Sequence, residues 1–183
     1  MTLSSQTIIQ QTKNWVSQIV IDLQLCPFAS TPFNTNNIDY TVIFEQDITQ
    51  HLHQIADSYA LLDNEQKIET QLLIFPNAYK NFEDYLDLLH LANQILEDLK
   101  YTGIYQLASF HPLYRFADST ETDAANYSNR SPYPMLHILR EESLEKAIAN
   151  YPDIEKVPQK NIDKLDKIGY LTMQKKLEAI TEV

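Results

Sequence analysis

The chain has 183 residues, only two glycines and a formal net charge of −11. Gly103 and Gly169 stand too far apart for a Walker phosphate loop or a dinucleotide fingerprint, each of which needs clustered glycines. The acidic balance disfavours binding to nucleic acid and to anionic membrane surfaces.

Periodicity predicts a first helix from about residue 6 to 25, with Trp15, Val16, Ile19, Val20 and Leu23 on its apolar stripe. Cys26-Pro27 ends it, because a residue before proline avoids the helical region. A turn-rich segment follows, then a strand over 40–45. A weaker helical stripe through Leu52, Ile55, Tyr59 and Leu62 covers 48–62. The apolar run 71–75, closed by Pro76, reads as a buried strand. The best helix covers 82–100, with Asn81 and Asp84 as an N-cap pair and Gly103 as a left-handed C-cap. A third strand spans 104–110. A polar, proline-bearing loop of roughly 20 residues comes next, a length that marks function or mobility in a compact domain. Residues 135–139 read as a fourth strand and 141–150 as a helix. Pro158 opens a last helix that buries Ile162, Leu165 and Ile168, and Gly169 precedes a tail expected to fray.

Together these elements predict a single α/β domain. Its sheet is small, three- to four-stranded, mixed and mainly parallel, and is covered by helices. The first three strands are expected to be parallel through crossovers, and the fourth to join an edge. Ligands of such sheets gather outside the carboxyl ends of the parallel strands. That edge would carry Glu45, Asn77 and His111, and the long loop starts there.

All three arginines, Arg115, Arg130 and Arg140, fall within 115–140, a stretch without lysine, whereas the rest of the chain uses eleven lysines. Guanidinium holds carboxylate or phosphate through a planar fork that ammonium lacks. The competing reading pairs these arginines with Asp118, Glu121, Asp123 or Glu141. His111 is the acid/base candidate, against a role as loop anchor donating to a backbone carbonyl. His137 alternates with Met135 and Leu139 and reads as a satisfied core histidine. His51, His53 and His90 read as bland. Asn126, Tyr127, Asn129 and Ser131 supply polar groups in quick succession beside Arg130, and Tyr133 before Pro134 fits a cis bond.

Cys26 is the one thiol, so no internal disulfide is available, which fits a reducing compartment. It is a packing residue, or a nucleophile if the fold brings it to the site. The N-terminus lacks signal-peptide features and no stretch suits a membrane span, so a cytoplasmic location is expected.

The motifs LCPFA at 25–29, SFHPLYRFAD at 109–118, NYSNRSPYPMLHILRE at 126–141 and VPQKNIDKLDKIG at 157–169 resemble the bacterial domain-of-unknown-function family 1415, over nearly the whole chain. The resemblance implies no reaction, cofactor or catalytic residue. From the residues, the expected function is a small enzyme acting on an anionic small molecule. His111 and Cys26 would be catalytic, and Arg115, Arg130, Asn126, Tyr127, Asn129 and Ser131 would bind substrate. The alternatives are a non-catalytic module, for a small ligand or for a protein held by Tyr114, Phe116, Tyr127 and Tyr133, and a metal protein using Cys26, His111 and His137.

Overall fold

The computed structural model describes residues 3–182. In it, helix α1 (Ser5–Trp15) is capped by the Ser4 hydroxyl, which accepts from the Thr7 amide at 3.1 Å. It runs directly into π-helical turns over Val16–Ile21. There the amides bond five residues back, as from Asp22 to Ser17 at 2.9 Å. The wider turn buries Val16, Ile19 and Val20 together. Regular helix therefore stops well before Cys26-Pro27.

A short helix α2 (Ser30–Asn34) interrupts the turn-rich segment and leads into β1 (Ile38–Val42). Helix α3 (Ile48–Asn64) follows, capped by Asp47, then β2 (Thr70–Ile74) and α4 (Phe82–Asp98), capped by Asn81. Strand β3 (Tyr105–Phe110) opens the long loop, which holds a 3₁₀ turn over Ala124–Ser128. Strand β4 (Met135–Arg140), α5 (Glu141–Ala149), α6 (Val157–Ile168) and α7 (Tyr170–Thr181) complete the chain.

The four strands form one mixed sheet in the order β1-β2-β4-β3. β1 and β2 are parallel, and β4 is antiparallel to both β2 and β3. Three strands thus run the same way, as expected, but β4 is not at an edge. It separates β2 from β3. Met135, Leu136 and Ile138 are fully buried, so β4 is apolar on both faces. An interior position pairs its backbone on both sides, where an edge would leave one row of groups open.

Alternate residues face opposite layers. Leu72, Ile74 and Met135 pack against Trp15, Val16 and Ile19, with Leu165 of α6 and Met173 and Ile180 of α7 in the same core. Leu73, Phe75, Leu136 and Ile138 pack with Ile55 and Tyr59 of α3 and Tyr85 and Leu88 of α4. The result is a helix–sheet–helix sandwich.

Three other expectations are corrected. The left-handed residue ending α4 is Lys100 (φ 62°), not Gly103. The Lys100 amide bonds the Glu97 carbonyl at 3.0 Å and the Tyr101 amide bonds Leu96 at 2.9 Å, which is a Schellman closure. Gly103 (φ 82°) serves the following turn instead. The tail after Gly169 does not fray, because α7 docks through Met173 and Ile180. The Tyr133–Pro134 bond is trans.

Candidate functional site

The registers align Val42, Ile74, Met135 and Phe110 in one row, so β1, β2 and β3 all leave the sheet at one edge. The segments carrying Glu45, Asn77 and His111 do meet there; Glu45 is exposed, whereas Asn77 and His111 spend their polar groups on the backbone. The Asn77 amide donates to the Phe44 carbonyl at 3.2 Å. His111 is fully buried. Its Nδ1 accepts from the Leu113 amide at 3.0 Å, so Nε2 carries the proton and donates to the Tyr79 carbonyl at 2.7 Å. Burial holds its pKa below the ordinary histidine value, opposed by the Tyr79 bond. It is the loop anchor. His51, read as bland, is fully buried as well. It bridges the Tyr79 hydroxyl at 2.5 Å and the Glu45 carbonyl at 2.9 Å.

The loop residues are brought together as a self-bonded unit. Asn126 Oδ1 accepts from the Phe116 amide and the Ser119 hydroxyl, and its Nδ2 donates to Thr120. Asn129 Nδ2 donates to Ser109, and the Ser131 hydroxyl to the Tyr133 carbonyl. Arg115 is exposed, and no ion pair holds any of the three arginines among the described residues. Arg140 caps the end of α3, donating to the Leu62 carbonyl at 2.5 Å and to Ile68 at 3.0 Å. Arg130 is 6% exposed and lies against the Tyr127 ring, 4.9 Å from its centroid. Neither His111 nor Arg115 lines the concavity that Arg130 faces.

A larger open feature than that concavity lies elsewhere. A groove of about 550 Å³ sits on the sheet face under the π-helical turns. Leu72, Ala108 and His137 give its floor, since they are direct partners across β2, β4 and β3. Ala108 beside His137 leaves the space that a larger side chain would fill. Val16, Val20 and Cys26 form a wall, and Ser143 and Leu144 of α5 close another side.

His137 is the polar group of that floor. The Thr70 hydroxyl has a single proton, which it gives to the Ile138 carbonyl at 2.6 Å. The 2.5 Å bond between Thr70 Oγ1 and His137 Nε2 must therefore be donated by the ring. This fixes the tautomer and leaves Nδ1 as a bare acceptor. Nδ1 makes no hydrogen bond among the described residues and is not sealed from solvent. Burial pushes the pKa of His137 down to about 4, so the ring is neutral at pH 7. The core-histidine reading thus holds for Nε2 and fails for Nδ1.

Cys26 is exposed within this groove. The crowded wall raises its thiol pKa, and the Phe28 and Ala29 amides oppose that rise. The segment is fixed from α6, where Lys164 Nζ donates to the Leu23 carbonyl at 2.5 Å and Asn161 to Leu25 at 2.7 Å. Cys26 and His137 share the groove, whereas the His111 ring lies against Phe82 and Tyr85 on the α4 side. The sheet therefore splits the Cys26, His111, His137 set, and no group of three potential ligands converges among the described residues.

A model of the family described as "Protein of unknown function (DUF1415)" matches residues 7–175. The chain belongs to that family. The match takes in both the groove and the long loop. No curated protein and no solved structure matches the chain. No helix among the described residues is long and apolar enough to cross a membrane.

Proposed function

We propose that this protein binds a small, largely apolar molecule carrying one hydrogen-bond donor, in the groove floored by His137. The observation that carries this reading is the unpaired Nδ1 of a neutral, tautomer-locked histidine in an open, mostly apolar concavity. Grooves of this size lined by apolar groups and a few placed polar atoms are the usual form of small-ligand sites. Nδ1 opens onto the groove, so a ligand hydroxyl or N–H can take the place of water at this acceptor while the rest of the ligand covers the apolar wall. Binding is favoured over acid/base catalysis, because a ring that protonates only near pH 4 is a weak base at neutral pH. The anion-processing enzyme built on His111 has less support, since both nitrogens of that ring are engaged.

Phenol and toluene test this as probes, because they differ in the donor. Calorimetry should show both binding the wild type. His137→Leu keeps the volume and removes the acceptor. The phenol-to-toluene affinity ratio should then fall by about fivefold, the worth of one net hydrogen bond. An unchanged ratio, or no binding of either probe to the wild type, overturns the reading.

A further inference from the structure

A second concavity, of about 260 Å³, lies between the start and end of the long loop and helix α7. We propose that it is a binding site for the oxyanion group of a small carboxylate or phosphate, with Arg130 as its anchor. The first ground is an unbalanced charge. Arg130 is 94% buried, yet no carboxylate forms an ion pair with it. A buried cation without a counter-ion is costly, so such a group needs other compensation or a partner from outside.

The internal compensation is partial. Nε donates to the Tyr114 carbonyl at 3.0 Å and Nη2 to the Glu121 carbonyl at 2.8 Å. The Glu121 carboxylate is not used, so the loop supplies dipoles and no negative charge. Tyr127 and Tyr170 lie 4.9 and 5.7 Å from the guanidinium carbon. The Tyr127 hydroxyl is also a hydrogen-bonding neighbour of the guanidinium, and no carbonyl or carboxylate is bonded to Nη1 among the described residues. Nη1 is the edge left to meet a ligand.

The second ground is preorganisation. The Arg130 amide bonds the Asn126 carbonyl at 3.0 Å, and its carbonyl accepts from the Trp15 indole at 3.0 Å. Pro112 and Pro132 stiffen the rim. A guanidinium held at both backbone ends and at two of its nitrogens loses little entropy when an anion arrives. The far wall carries Glu178, exposed and bonded by the Gln174 amide at 2.9 Å. Its charge weakens anion binding without touching Arg130, and that makes it a clean handle. This site is separate from the groove, and either can fail without the other.

The probes are inorganic phosphate and acetate, titrated against chloride at matched ionic strength, with the thermal unfolding midpoint as readout. Both should raise the wild-type midpoint above the chloride control. Glu178→Gln should tighten phosphate by about threefold, as expected for removing one exposed like charge. Arg130→Gln should abolish the response. Should Arg130→Gln fail to fold, Glu178→Gln alone decides. No rise over chloride in the wild type, or the same phosphate affinity in Glu178→Gln, overturns the proposal.

Discussion

His137 ties stability to pH through its own protonation. Its folded pKa, about 4, lies below the unfolded value of about 6.5. The unfolded chain therefore takes up the proton first as the pH falls. The stability from keeping the ring neutral is full above pH 6.5 and is lost as the pH falls towards 4, by up to about 3 kcal/mol. His111, also lowered by burial, acts in the same direction. Urea midpoints should fall between pH 7 and pH 5, and His137→Leu should flatten part of that slope. An identical slope in the variant would assign the pH dependence to other groups. At this scale the sequence showed residue types but not their partners. The loop-anchor reading of His111 was legible from its place after a strand. The burial of His51 was not, although it continues the stripe of Ile55, Tyr59 and Leu62 one turn back. Lys100 could not be read as the α4 terminator, because a left-handed lysine leaves no mark in composition.

Among the elements, the strands and long helices were legible from periodicity to within a few residues. The order of the strands was not. β4 follows the long loop, and only tertiary packing decides whether it joins an edge or enters between β2 and β3. Its residues do carry the signal of an interior strand, since both faces are apolar. The π-helical turns were hidden because their stripe mimics that of a regular helix. The groove needs them, as Val16 and Val20 form part of its wall. Asn161 and Lys164 of α6 brace the backbone just before Cys26, which links two segments about 136 residues apart. Asn161→Leu leaves the Leu25 carbonyl without that donor. It should cost about 1–3 kcal/mol and speed alkylation of Cys26 by iodoacetamide. An unchanged alkylation rate would show that α6 does not set the Cys26 segment.

At the scale of the molecule, two openings sit on one side of the sheet, and Trp15 adjoins both. Its ring lines the groove and its indole N–H holds the Arg130 carbonyl. The sequence pointed to the arginine-bearing loop through its unusual use of guanidinium, and Arg130 lies buried there without an ion pair among the described residues. It did not point to the groove, because a concavity arises from residues that are small or displaced, here Ala108 and the widened turn. Composition still bears on both openings. Neither of the two glycines lines either opening, so the proposed recognition rests on side chains. In the proposed function, the groove floored by His137 takes an apolar molecule with one donor. The single thiol on its wall reports occupancy directly. Iodoacetamide labelling of Cys26, followed while phenol is titrated, should slow along a saturable curve, and His137→Leu should need several-fold more phenol for the same protection. A labelling rate indifferent to phenol in the wild type would show that the groove does not take this ligand.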